Sequence, residues 1–123
     1  MYNRKWELKM YIKIEKKDKM TRGESTQYSI DNYLTKDKVS NLSVAVSHLN
    51  GEIRTTKNIE SDRVYYFIKA EAEFKIEDDF VKVGSEDVLY IPKDTFYSAK
   101  GTFDAVLINT PAFDMTNEKQ EII

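Results

Sequence analysis

Asp62-Arg63-Val64-Tyr65-Tyr66-Phe67-Ile68-Lys69-Ala70-Glu71-Ala72-Glu73-Phe74, with Val88-Leu89-Tyr90-Ile91-Pro92 further on, is the stretch whose reading decides the fold. Residues 64–76 are rich in β-branched and aromatic side chains on both faces, as a strand buried between layers requires. By the two-residue period of a strand, Arg63, Tyr65 and Phe67 share one face. Glu77-Asp78-Asp79 reads as a polar turn before a strand at Phe80-Val81-Lys82-Val83. The run 88–91 is apolar throughout and stops at Pro92, which has no N–H to give to a ladder.

The same periodicity extends outward. Trp6, Leu8, Met10, Ile12 and Ile14 alternate with Glu7, Lys9, Tyr11, Lys13 and Glu15, which predicts a half-buried strand. Thr21-Arg22-Gly23-Glu24-Ser25 reads as a turn, Gln27-Tyr28-Ser29-Ile30 as a short strand, and residues 31–34 as a helical turn or loop. Leu42, Val44, Val46 and His48 alternate with Ser43, Ala45 and Ser47 in a second clear strand, which Asn50-Gly51 is expected to end. Residues 103–109 predict a last strand closed by Thr110-Pro111, followed by a polar tail in which Ile122 and Ile123 can dock. Roughly nine short strands with almost no helix predict an all-β, closed antiparallel architecture.

Composition bounds the rest. At 123 residues the chain makes one domain with a core of useful size. We divide it into an N-terminal strand-and-loop segment (1–40), a barrel core (41–113) and a polar tail (114–123). The absence of cysteine excludes a disulfide framework and a thiolate zinc site. A net charge of −2 with interspersed signs argues against nucleic acid as a partner. No apolar run reaches the ~20 residues of a membrane span, and the first residues show no signal-peptide pattern. These features lead us to expect a cytoplasmic protein without membrane contact.

The segment 56–101 resembles the paired motifs of the cupin superfamily, whose members are small jelly-roll β-barrels that usually hold a metal. In that family the first motif supplies two histidines and a glutamate, and the second a further histidine. Laid onto this chain, the histidine positions become Thr56 and Asn58, the glutamate Arg63, and the last histidine Tyr97, while Pro92 is kept. The resemblance therefore implies a cupin-type antiparallel jelly-roll β-barrel. The substituted ligands imply no metal and no other cofactor, because Arg63 brings a fixed positive charge to the cation's place. Cupins commonly pair through N-terminal strands, so a homodimer is expected.

Inside such a barrel, Thr56, Asn58, Arg63, Tyr65, Phe67 and Tyr97 become the candidate ligand-binding residues. A buried guanidinium needs a partner. That partner is either a ligand carrying phosphate or carboxylate, for which the planar fork is suited, or an internal carboxylate such as Glu73 or Asp62. The first case predicts a non-enzymatic module that binds or senses a small anionic molecule; the second predicts a plugged, structural barrel. A third reading, a metal-independent sugar isomerase or epimerase, would use His48 as base and Tyr97 as acid. Against it, His48 is the one histidine in the chain, and a histidine satisfied at a strand end is the plainer account.

Overall fold

Three long strands carry the architecture: β3 (Ser43–Asn58), β4 (Asp62–Ile76) and β7 (Tyr97–Thr110). They lie side by side, with β7 paired antiparallel to β3 on one edge and to β4 on the other. Shorter strands extend this centre. β1 (Met20–Gly23) and β2 (Tyr28–Leu34) add beyond β3, while β5 (Asp79–Gly84) and β6 (Val88–Ile91) pair with the two ends of β4. A last strand, β8 (Glu118–Gln120), pairs with the end of β3. The computed structural model describes residues 11–23, 25–114 and 118–120, the last three by backbone only. Among these residues all eight strands join one antiparallel sheet, and the sole helical element is a 3-10 turn at Lys16–Asp18.

Strands this long must bend to wrap a core, and the bends are written in glycines and bulges. Gly51 in β3 pairs with Gly101 in β7, and both hold positive φ, +140° and +127°. A Cβ on Gly101 would stand 2.4 Å from the Glu71 carbonyl oxygen, so only glycine lets the neighbouring strand approach. The register shifts between Ile53 and Thr56 in β3, and between Phe67 and Lys69 in β4. Each bulge reverses which parity of residue faces inward. On β3 the inner row passes from Ser43, Ala45, Ser47, Leu49 and Ile53 to Thr56 and Asn58; on β4 it passes from Arg63, Tyr65 and Phe67 to Phe74.

The core is aromatic. Tyr65, Phe67 and Phe74 are fully buried, and Phe103 is almost so. Their rings contact one another with centroids 5.2 Å apart for Phe67–Phe103 and 5.5 Å for Tyr65–Phe67. Each ring contributes about 1.5–3 kcal/mol by burial, and together they fill the middle of the barrel.

Several expectations are corrected. Residues 6–10 of the first expected strand lie outside the described residues, and 11–15 form no strand; Tyr11 and Ile12 are 71% and 52% exposed. Residues 31–34 are strand, not helical turn, because β2 pairs with β3 along its length. β3 runs straight through Asn50-Gly51, since Gly51 meets Gly101 in the ladder instead of making a hairpin. The row of Val44, Val46 and His48 faces outward, and the small residues between them face the core. β7 starts at Tyr97, six residues before the expected 103. Residues 118–120 of the polar tail join the sheet as β8.

Candidate functional site

The bulge in β3 turns Thr56 inward, where it pairs in register with Tyr97 of β7. On the other side of β7, Arg63 pairs with Asn109. The Arg63 guanidinium is thereby drawn under the barrel wall, 5% exposed. Its Nε donates to Asn109 Oδ1 at 2.8 Å and its Nη1 to the Tyr97 hydroxyl at 2.5 Å. The Tyr97 and Tyr65 hydroxyls lie 3.3 Å apart, and Tyr65 is linked on to Tyr28. Burial, followed by the neighbouring phenol, pushes the Tyr28 and Tyr65 hydroxyls well above the usual phenol range. Both stay protonated at neutral pH.

A narrow cavity opens against this network, with room of about 60 Å³ inside it. Arg63, Thr56 and Tyr97 form its inner end. The rest of the lining is Arg22 of β1, Ser25 before β2, Tyr28 and Ile30 of β2, and Glu52, Ile53 and Arg54 of the neighbouring β3. Among the described residues lining it, three are arginines and one, Glu52, is a carboxylate. Its combination of apolar and polar lining groups is that of a ligand site.

The structure thus brings together three of the residues singled out from sequence: Thr56, Arg63 and Tyr97. Tyr65 stands behind them and reaches the cavity through the Tyr97 hydroxyl. Phe67 belongs to the aromatic core. Asn58 serves the β3–β4 turn, its Oδ1 accepting from the Ser61 and Glu60 N–H groups at 2.8 and 3.2 Å. Its Nδ2 is buried with no partner among the described residues. Of the carboxylates expected near Arg63, Glu73 lies beyond the β4 bulge on the face opposite Phe74, and Asp62 Oδ1 accepts from the Lys93 N–H at 2.8 Å.

The pairing of His48 with Tyr97 expected for an enzyme is not formed. His48 lies on the outer face, its Nδ1 2.7 Å from Asp104 and its Nε2 3.0 Å from Asp31. Asp31 is also held by Thr21 at 2.6 Å and Lys19 at 3.2 Å. The Thr21 hydrogen bond, then His48 and Lys19, lower its carboxyl to about 2 against a smaller opposing effect of burial. Sequence reading missed Arg22, Tyr28, Glu52 and Arg54. Three of them precede the β3 bulge, and no local signal says that β1 and β2 bring residues to this cavity.

The four residues that the sequence resemblance lays on the cupin metal ligands offer a hydroxyl, an amide, a guanidinium and a phenol, a donor set that does not suit a metal. Among the described residues no three His, Asp or Glu side chains cluster so as to hold one.

A bent antiparallel barrel with its site inside one mouth is the cupin fold, and the chain has that fold. Among solved structures it is similar to a variant of Streptomyces Pac13 with uridine, at 18% identity and a TM-score of 0.81 over 92% of each chain. Pac13 is described as a nucleoside dehydratase. KdgF from Halomonas sp. is similar at 11% identity and a TM-score of 0.72, covering 84% of this chain and 96% of that one. Bacillus subtilis oxalate decarboxylase matches at 20% identity and a TM-score of 0.74, covering 85% of this chain and 30% of its own. No protein-family model matches the sequence, and no curated protein does. Among the described residues no helix is long and apolar enough to cross a membrane.

Proposed function

We propose that this chain is a binding or sensing module that takes a small anionic organic molecule into the barrel mouth without a metal. That Arg22, Arg54 and Arg63 all line one cavity, with Glu52 the one carboxylate among its described lining residues, carries the reading. An arginine fork matches the edge of a carboxylate or phosphate, and in a partly desolvated cavity the contact is stronger than in water. The Tyr28, Tyr97 and Thr56 hydroxyls add directional hydrogen bonding for a ligand rich in hydroxyl groups. Pac13 in complex with uridine supports such a ligand for a barrel of this shape. The outward position of His48 argues against an isomerase built on His48 and Tyr97. The aromatic core closes the middle of the barrel but leaves this mouth open, which favours a ligand site over a plug.

We also take the module to act as a homodimer. Tyr66, Ile68, Val88 and Tyr90 are 41–64% exposed on the outer face of β4 and β6, where Tyr66 pairs with Val88 and Val64 with Tyr90. The half-buried Val106 and Ile108 of β7 continue the face. These four exposed side chains supply a largely apolar centre for a two-fold interface, which typically buries about 800 Å² per partner. A second copy of the same face is the occupant that matches it.

The test is calorimetric titration of the wild type with sugar phosphates, nucleotides and sugar acids. Saturable binding that falls at least about tenfold in Arg63→Lys, while the fold is kept, is the expected result. Absence of binding across the whole panel overturns the proposal.

A further inference from the structure

The cavity has room of about 60 Å³, enough for a few water molecules. Sites for small organic molecules commonly hold about 300 Å³ or more. A wall must therefore move before such a molecule enters, and the strands differ in what fixes them. β3, β4 and β7 each have a paired neighbour on both sides. β2 is fixed by Tyr28 and Ile30, both buried, and Gln27 just before it is pinned to β3. The Gln27 carbonyl accepts from the Asn50 N–H at 2.8 Å, and its Oε1 from the Glu52 N–H at 2.8 Å. β1 is different. Among the described residues it pairs with β2 alone, and of its four residues only Arg22 is even half-buried. Met20 is 71% exposed. An edge strand without a buried apolar side chain opens at far lower cost than the barrel unfolds.

Beyond its ladder, β1 is tied down through Asp31 of β2. This carboxylate accepts from Thr21 Oγ1 at 2.6 Å and from Lys19 Nζ at 3.2 Å. It is anchored in turn to His48 Nε2 of β3 at 3.0 Å, and His48 Nδ1 to Asp104 of β7 at 2.7 Å. Asp31 is thus a fixed point on the rigid strands to which the loose one is fastened. The Arg22 guanidinium lies over the Phe113 ring, 5.2 Å from its centroid, and travels with the strand that carries it.

We propose that β1 is a strap across the cavity, latched by Asp31, and that it lifts to admit a molecule larger than water. This rests on the reading of the cavity as a ligand site and adds a gate to it. Lifting takes Arg22 out of the lining and leaves Tyr28, Thr56 and Tyr97 in place. Asp31 does not line the cavity and acts on it only through β1, as a positioning residue.

The test uses the absence of cysteine from the chain. Thr56→Cys places a single thiol at the inner end of the cavity, where the native side chain is 2% exposed. Iodoacetamide, which is larger than water, alkylates that thiol only when the cavity opens. Labelling should run faster than global unfolding allows and stay unchanged in low urea. Asp31→Asn, added to Thr56→Cys, keeps the shape of the side chain and removes its charge. In the folded protein it should speed labelling at least about tenfold. Met20→Cys with Asn32→Cys, directly opposed in the ladder, closes a disulfide across the far end of β1. The oxidised form should label at position 56 at least about tenfold slower than Thr56→Cys alone. Unchanged labelling in the oxidised form overturns the strap, and so does labelling that follows global unfolding in urea. Unchanged labelling in folded Asp31→Asn overturns the latch; if that variant does not fold, the disulfide decides alone. None of these readouts needs a bound molecule. Gated labelling with no binding across the titration panel therefore retires the ligand class and leaves the strap standing.

Discussion

Arg63 Nη1 donates to the Tyr97 hydroxyl at 2.5 Å, joining the start of β4 to the start of β7 beneath the cavity. The contact gives a buried cation one of its acceptors and ties two long strands at the mouth. Tyr97→Phe keeps the ring and removes that acceptor. It should lower stability by about 1–3 kcal/mol, since a charged donor loses a partner away from water. Urea unfolding of wild type and variant measures this, and an unchanged midpoint would refute the role given to the hydroxyl.

His48 bridges β2 and β7 through Asp31 and Asp104. The Asp104 hydrogen bond first, then Asp31, raise its pKa above the ordinary 6.5 against the opposing effect of burial. A histidine whose folded pKa is raised contributes stability that is complete below the unfolded value and is lost as pH rises through the folded one. Unfolding midpoints should therefore fall as pH climbs above 6.5, and His48→Gln should flatten that fall. The single histidine can also be followed directly by NMR titration; an observed pKa at or below the ordinary value would contradict the bridge. Asp31 acts in the opposite sense, its contribution being present at neutral pH and lost as pH falls towards about 2.

Gly101 sits at φ +127°, where a Cβ would strike the Glu71 carbonyl. Gly101→Ala meets both backbone strain and a clash with main chain that cannot swing aside. A loss of about 3 kcal/mol or more is expected. A thermal melt within a degree or two of wild type would show that β4 and β7 can separate there without penalty.

The exposed face of β4 and β6 predicts self-association. Light scattering should give a dimer mass at micromolar concentration, and Tyr66→Lys with Tyr90→Lys should give a folded monomer. A monomeric wild type excludes this face as a dimer interface.

Purified protein should bind no stoichiometric transition metal, because Thr56, Asn58, Arg63 and Tyr97 offer no imidazole or carboxylate. Elemental analysis finding about one equivalent of Fe, Mn, Ni or Zn per chain would contradict that reading of the barrel.

The local pattern was enough for the all-β character, for the run 88–91 ending at Pro92, and for Arg63, Tyr65 and Phe67 sharing one face. Each of these depends only on neighbours in sequence: a two-residue period, a missing N–H, a β-branched or aromatic side chain. The resemblance to cupins rested on spacing and likewise needed no contact map. What the chain could not reveal locally is where that period breaks. The bulges beside Arg54 and Ile68 exist because β3 and β4 are paired to the same partner, β7, and their position follows from its register. The outward side of Val44, Val46 and His48 was hidden for the same reason, since an alternating strand says which residues share a face but not which face is covered. The mouth itself belongs wholly to tertiary structure. Arg22 and Phe113 are 91 positions apart, and only the folding of β1 and the segment after β7 over the same end of the barrel puts a guanidinium on that ring.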